Sequence, residues 1–156
     1  MGGNSTYPIP SKYATGAEPV TLASGIEARL IEAEAALRAG EIEPWRTTLN
    51  ALRSSVYTVP IPDLNNDSTT LASDDLREDV MFRERAFWLY GTGHRFGDMR
   101  RLVRQYTRPH QVVFPIGYRS FPRLQSFLYS EWPNLALPQE EKQGNPLFRG
   151  CLNRDP

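Results

Sequence analysis

The side chains best suited to chemistry lie in the stretch GHRFGDMRR, residues 93–101, and at Glu84 shortly before it. A carboxylate beside a histidine is the combination that hydrolases use for general acid/base catalysis, so Glu84 or Asp98 with His94 defines a hydrolytic hypothesis. The same three residues are a conceivable metal site, although the His-rich or His/Cys spacing of usual sites is missing. Charged pairs inside helix interfaces are common. We therefore expect no catalytic residue, no metal and no cofactor.

Arginine gives this region a positive charge. Residues 83–108 contain seven arginines against two acidic residues, an excess of about five, although the whole chain is balanced at 18 basic and 18 acidic residues. A basic helix face is a candidate phosphate or nucleic-acid surface. The residues on that face would be Arg100, Arg101, Arg104 and Arg108. Without aromatic interleaving or a recognised motif, a solvated helix surface with internal ion pairs is favoured, and we expect no nucleic-acid partner.

Length and composition place the chain in a broad class. Its 156 residues suit one domain or part of a larger one, and 13 prolines with 11 glycines indicate long loops. Cys151 is the single cysteine and cannot form an internal disulfide. No stretch approaches the ~20 apolar residues of a membrane span, and the N-terminus lacks the pattern of a signal peptide.

Local signals predict two helical hairpins, residues 24–56 and 74–106, joined by a loop. Ser24 with Glu27 is a capping pattern for a first helix that ends at Gly40, and Pro44 suits the first position of the second helix. Residues 1–23 are predicted to be an extended lead-in. Residues 107–156, rich in proline, are predicted to be an irregular tail that packs on the helices. The fold class is therefore all-α.

Charged residues interrupt the apolar stripes of the third predicted helix. Glu84 lies between Val80 and Phe87, and Arg85 lies between Met81 and Trp88. A buried unpaired charge is costly, so each needs a partner from the fourth helix. The expected ion-pair network contains Glu84, Arg85, His94, Arg95, Asp98 and Arg101. Gly97 inside the fourth helix indicates that a neighbouring group approaches closely there.

The run ERAFWLYGTGHRFGDMRR, residues 84–101, resembles the C-terminal signature ERxxELxxEGHRxxDLxR of the SusD/RagB family. EARLIEAEAALRAG from Glu27 is similar to the alanine-rich helix of that family, and LNALRSS from Leu49 to the helix after it. FPIG at Phe114 and LALPQEEKQGNP at Leu135 resemble its closing stretch. Trp88 and Thr92 stand where the pattern usually has Glu, and Gly97 where it has an aromatic residue, as expected for a divergent subfamily.

This resemblance implies a scaffold of tetratricopeptide-like helical hairpins with long loops. It also implies a non-enzymatic component on the outer face of the outer membrane, which captures glycans or other oligomeric nutrients for a SusC-like TonB-dependent porin. Family members are longer and carry a lipidated cysteine, so we expect this chain to be the C-terminal part of such a protein or a truncated reading frame that begins at an internal Met1. Tyr118, Tyr129 and Trp132 are able to stack on a sugar but are assigned to packing. The alternative function is a tetratricopeptide-like scaffold that binds a protein and no nutrient.

Overall fold

The computed structural model describes residues 17–55, 61–64, 71–115, 117–121, 124–129 and 143–147, with the strands described as backbone. Within these residues the chain forms five α-helices followed by one antiparallel pair of strands. Their bounds are α1 Gly25–Arg38, α2 Ile42–Ser55, α3 Asp74–Trp88, α4 His94–Gln105, α5 His110–Val113, β1 Gly117–Phe121 and β2 Leu124–Tyr129. The helical fold class is confirmed. None of the described helices is long and apolar enough to cross a membrane.

Helices α1 and α2 pack together as a hairpin. The hydroxyl of Ser24 accepts a hydrogen bond from the Glu27 amide at 3.1 Å, which caps the start of α1. After the helix, Gly40 adopts a φ of 78°, a left-handed conformation that favours glycine and turns the chain into α2. The apolar stripes of both helices are buried, with Leu30, Ala33, Leu37, Trp45, Leu49 and Leu52 as their main members.

The second helix starts earlier than the sequence predicts. Pro44 is expected at its first position, but α2 begins at Ile42, so Pro44 is the third helical residue. The shift is tolerated because the first four amides of a helix have no partner within the helix, and a proline without an N–H sacrifices no bond there.

The chain divides into two compact units, residues 1–81 and 82–156, with the boundary inside α3. In the first unit the indole of Trp45 donates to the sulfur of Met81 at 3.3 Å. In the second unit α4 packs against α5. The predicted division into lead-in, two hairpins and tail stays a prediction, as does the tetratricopeptide-like arrangement of the hairpins.

The segment after α4 differs from the irregular tail that the sequence predicts. It contains the four-residue helix α5 and the hairpin of β1 and β2, in which Gly117 faces Tyr129 and Phe121 faces Leu124. Aromatic and apolar residues recur in both strands, and only residues 122–123 separate them, as in a tight hairpin. Trp132, Cys151 and the side chains of Tyr118 and Tyr129 lie outside the described part of the structure, as do most of the predicted lead-in and interhelical loop.

Candidate functional site

The turn between α3 and α4 sets the positions of the predicted network. Gly91 and Gly93 have φ angles of 73° and 85°, both in the left-handed region. The hydroxyl of Thr92 donates to the carbonyl of Leu89 at 2.6 Å and lies 2.7 Å from Nδ1 of His94. A hydroxyl has only one proton, and Thr92 donates it to Leu89. In the contact between Thr92 and His94, the Nδ1–H of His94 is therefore the donor. His94 therefore helps to fix the turn at the start of α4.

Asp98 is the centre of the buried charge. Its side chain accepts from Arg85 Nε at one oxygen and from Arg101 Nη1 at the other, each at 2.9 Å. Asp98 is 3% exposed and Arg85 4% exposed, so this pair is shielded from water. Arg101 reaches Asp98 from one turn further along α4, whereas Arg85 reaches it from α3. Hence the Arg85–Asp98–Arg101 cluster joins two helices through both oxygens of one carboxylate.

Aromatic rings lie against the Arg85–Asp98–Arg101 cluster. The guanidinium of Arg101 lies 5.4 Å from the ring centroid of Phe82, a cation–π distance. Phe82 in turn makes an edge-to-face contact with Tyr106, with centroids 5.0 Å apart and rings at 84°. These contacts keep the half-buried Arg101 in position and link the start of the second unit to the end of α4.

Glu84 bonds Trp88, a residue that helical spacing places in an apolar stripe. Its carboxylate accepts from the indole N–H of Trp88 at 3.1 Å, one turn along the same helix. Glu84 is only 6% exposed, so this bond replaces water at one of its oxygens. The polar end of a tryptophan side chain is the signal that could have predicted this contact.

Five of the six predicted network residues fall into three groups. Arg85, Asp98 and Arg101 come together, Glu84 bonds Trp88, and His94 bonds Thr92. Arg95 differs from the prediction, because it is exposed on the first turn of α4 and its side chain forms no hydrogen bond or ion pair within the described residues. Gly97 also differs, because a Cβ placed there meets no atom of the described chain within 4 Å.

This arrangement is suited to holding structure. The buried carboxylates of Glu84 and Asp98 accept from Trp88 and from two arginines, and His94 is engaged by the turn. Across the described residues, no group of three or more His, Cys, Asp or Glu side chains is placed to hold a metal ion. Arg101 is occupied by Asp98, and Arg100 lies 6.0 Å from the ring centroid of Phe96. These charged groups are thus held by contacts within the protein.

A cavity of about 600 Å³ lies beside α4 in the second unit. We call it the α4 cavity; its lining residues are Arg95, Met99, Gln111, Val112, Val113, Phe114 and Pro115. They come from one face of α4 and from the segment that contains α5. The sequence does not predict this cavity, because α5 is too short to give a helical period.

Comparison with known proteins identifies the family. The family model described as the SusD family matches residues 27–147. The chain belongs to the SusD family. Neither a curated protein nor a solved structure matches the chain significantly. SusD proteins are non-enzymatic nutrient-binding proteins, typically associated with the outer membrane, so a general role in nutrient binding follows from membership. The resemblance found in the sequence is confirmed.

Proposed function

We propose that this chain is a SusD-like binding component of an outer-membrane nutrient uptake system. It captures glycans or other oligomeric nutrients for a SusC-like TonB-dependent porin, on the outer face of the outer membrane. The observation that carries the proposal is the family match over residues 27–147. That match begins in the first turn of α1 and extends beyond the two strands, so it covers far more of the chain than the signature at residues 84–101.

The geometry of the signature residues supports a binding role over an enzymatic one. A general acid/base pair needs side chains within reach of a substrate. Asp98, however, is buried and engaged by two guanidinium groups, and Glu84 is buried beside Trp88. These carboxylates stabilise the joint between α3 and α4 and leave ligand contacts to other surfaces.

Association with the porin is tested in the cells that encode the protein. The gene is tagged at its own locus, the outer membrane is extracted with mild detergent, and co-purifying proteins are identified by mass spectrometry. We expect a TonB-dependent porin to be enriched among the co-purifying proteins. We also expect the purified protein to bind an oligosaccharide, as measured by calorimetry. A protein that captures neither a porin nor a glycan, and instead captures one soluble partner, would be the tetratricopeptide-like scaffold of the alternative hypothesis.

Matched variants separate binding from folding in the same experiment. Asp98→Ala breaks the buried cluster and should reduce the amount of folded protein, and with it porin capture. Gly97→Ala lies one residue away in an open position and should leave capture unchanged. A hydrolytic activity on the captured glycan that His94→Gln abolishes without unfolding the protein would overturn the non-enzymatic assignment.

A further inference from the structure

We infer that the α4 cavity binds the carboxylate or sulfate group of an acidic oligosaccharide, and that Arg95 pairs with that anion. The inference rests on the proposed function, which supplies the glycan, and it adds the chemical class of ligand and a site. The cavity is open to solvent over much of its surface, and its volume of about 600 Å³ lies within the roughly 300–1,000 Å³ of small-molecule sites.

Among the described residues that line the cavity, Arg95 is the only ionisable one. It is exposed, and its side chain makes no ion pair or hydrogen bond within the described residues. Other arginines of α4 are engaged, since Arg101 bonds Asp98 and Arg100 lies over the ring of Phe96. The guanidinium of Arg95 is therefore available to a ligand, and its planar donors match both oxygens of a carboxylate or two oxygens of a sulfate.

The position of Arg95 in α4 is unfavourable for helix stability. A helix carries partial positive charge at its N-terminus, and acidic residues there are stabilising. The first turn of α4 has no acidic residue and contains Arg95. A cation at this place adds to the positive potential of the helix end. An anion bound in the cavity would relieve that repulsion, so the arrangement favours an anionic ligand.

The remaining walls suit the less polar parts of a sugar. Phe114 is held by an edge-to-face contact with Phe96, with centroids 6.1 Å apart and rings at 74°. Val112 is 81% exposed, an apolar side chain that a ligand can cover. Gln111 contributes an amide that both donates and accepts hydrogen bonds. The exposed lining is more polar than apolar, so one charged group, one neutral amide and a few apolar side chains make up a site for an amphipathic acid.

Calorimetry with the full chain tests this inference. The probes are a trisaccharide of galacturonic acid, a sulfated galactose trisaccharide and the neutral galactose trisaccharide. We expect one or both acidic probes to bind more tightly than the neutral one, with a difference that shrinks as salt is added. The two acidic probes distinguish carboxylate from sulfate as the preferred anion.

Two variants locate the anion. Arg95→Gln should weaken binding of the acidic probe at least about tenfold, because a charge-assisted hydrogen bond is lost. Binding of the neutral probe should be unchanged. Val112→Glu introduces a negative charge at an exposed wall and should have the same effect without unfolding the protein. Arg83→Gln is the matched control, since Arg83 is an exposed arginine that does not line the cavity.

Three results overturn the inference. If acidic and neutral probes bind with equal affinity, the site does not recognise an anion. If Arg95→Gln and Arg83→Gln lose the same affinity for the acidic probe, the effect comes from the net charge of the protein and not from the cavity. The inference is also overturned if none of the three probes binds. If the porin still co-purifies in that case, the proposed function stands while this site falls; if the porin is absent as well, both fall.

Discussion

Replacing Asp98 by alanine should strongly destabilise the second unit. The substitution removes the acceptor of two charge-assisted hydrogen bonds, each 2.9 Å long. Such bonds contribute about 1.5–3 kcal/mol each. The bond from the half-buried Arg101 belongs near the lower figure, because water can replace Asp98 there. The bond from Arg85 belongs near the upper figure, because this guanidinium is 4% exposed and would stay buried without its carboxylate.

The expected loss is therefore about 3–5 kcal/mol of unfolding free energy, the range for breaking one member of a buried ion pair. Urea unfolding followed by circular dichroism measures it, provided that the slope m stays constant between variants. Arg101→Gln should lose less than Arg85→Gln, since only Arg85 is shielded from water. A loss within about 0.5 kcal/mol for Asp98→Ala would refute the reasoning, because exposed groups behave in that way.

The double variant Arg85→Met with Asp98→Leu tests the cause of this loss. If the penalty comes from leaving a charge buried without its partner, removing both charges should restore much of the stability that Asp98→Ala loses. A double variant as unstable as the sum of its single variants would indicate that packing volume, and not stranded charge, explains the result.

Three further predictions use the same unfolding assay. Gly97→Ala should raise stability by about 0.5–1 kcal/mol, because glycine is unfavourable inside a helix and the position is open. Gly93→Ala should lower stability by about 1–2 kcal/mol, because Gly93 has a φ of 85°. A loss of stability in Gly97→Ala would contradict the open position. Trp88→Phe should lower stability by about 1–3 kcal/mol through the lost bond to Glu84, and an unchanged value would show that water replaces it. Ser24→Ala should lower stability by about 1 kcal/mol as its cap is lost, and Ser24→Thr should retain most of it.

Local chemistry explains why the helices could be predicted from the sequence. The Ser24 cap and the left-handed Gly40 each act within a few residues, so the limits of α1 follow from the sequence near them. Apolar spacing predicts the buried stripe of α2, including Trp45 and Leu49, but not its first residue. Proline fits any of the first positions of a helix, so Pro44 does not fix the start.

The tail shows where such local rules fail. The two-residue link at 122–123 includes a proline, a residue that usually marks the end of regular structure. The pairing of Gly117 with Tyr129 depends on contacts across the hairpin, which propensity alone does not contain. The same limit applies to the α4 cavity, because α5 packs on α4 through contacts that no short pattern predicts.

The partners in the charged network illustrate a related limit. Burial of Glu84 and Asp98 could be expected from the apolar stripes around them, but each carboxylate had several candidate donors. Asp98 takes two arginines, and Glu84 takes the indole of Trp88, a residue counted among the apolar positions. A sequence determines that a buried charge needs a partner. Geometry determines which partner it reaches: the turn between α3 and α4 brings Arg85 to Asp98, whereas helical spacing within α3 brings Trp88 to Glu84.

Arg95 and Arg101 lie on the same helix and have opposite constraints. Arg101 holds Asp98 and packs on Phe82, so any replacement must supply both a charge and a flat group. Arg95 is exposed beside a cavity, where a replacement alters little of the fold and much of what the cavity attracts. Residues under the first kind of constraint identify the family, because the scaffold fails without them. Arg95 matches the family signature as Arg101 does, so the signature alone does not separate a ligand contact from a scaffold contact, and the binding assay with Arg95→Gln makes that separation.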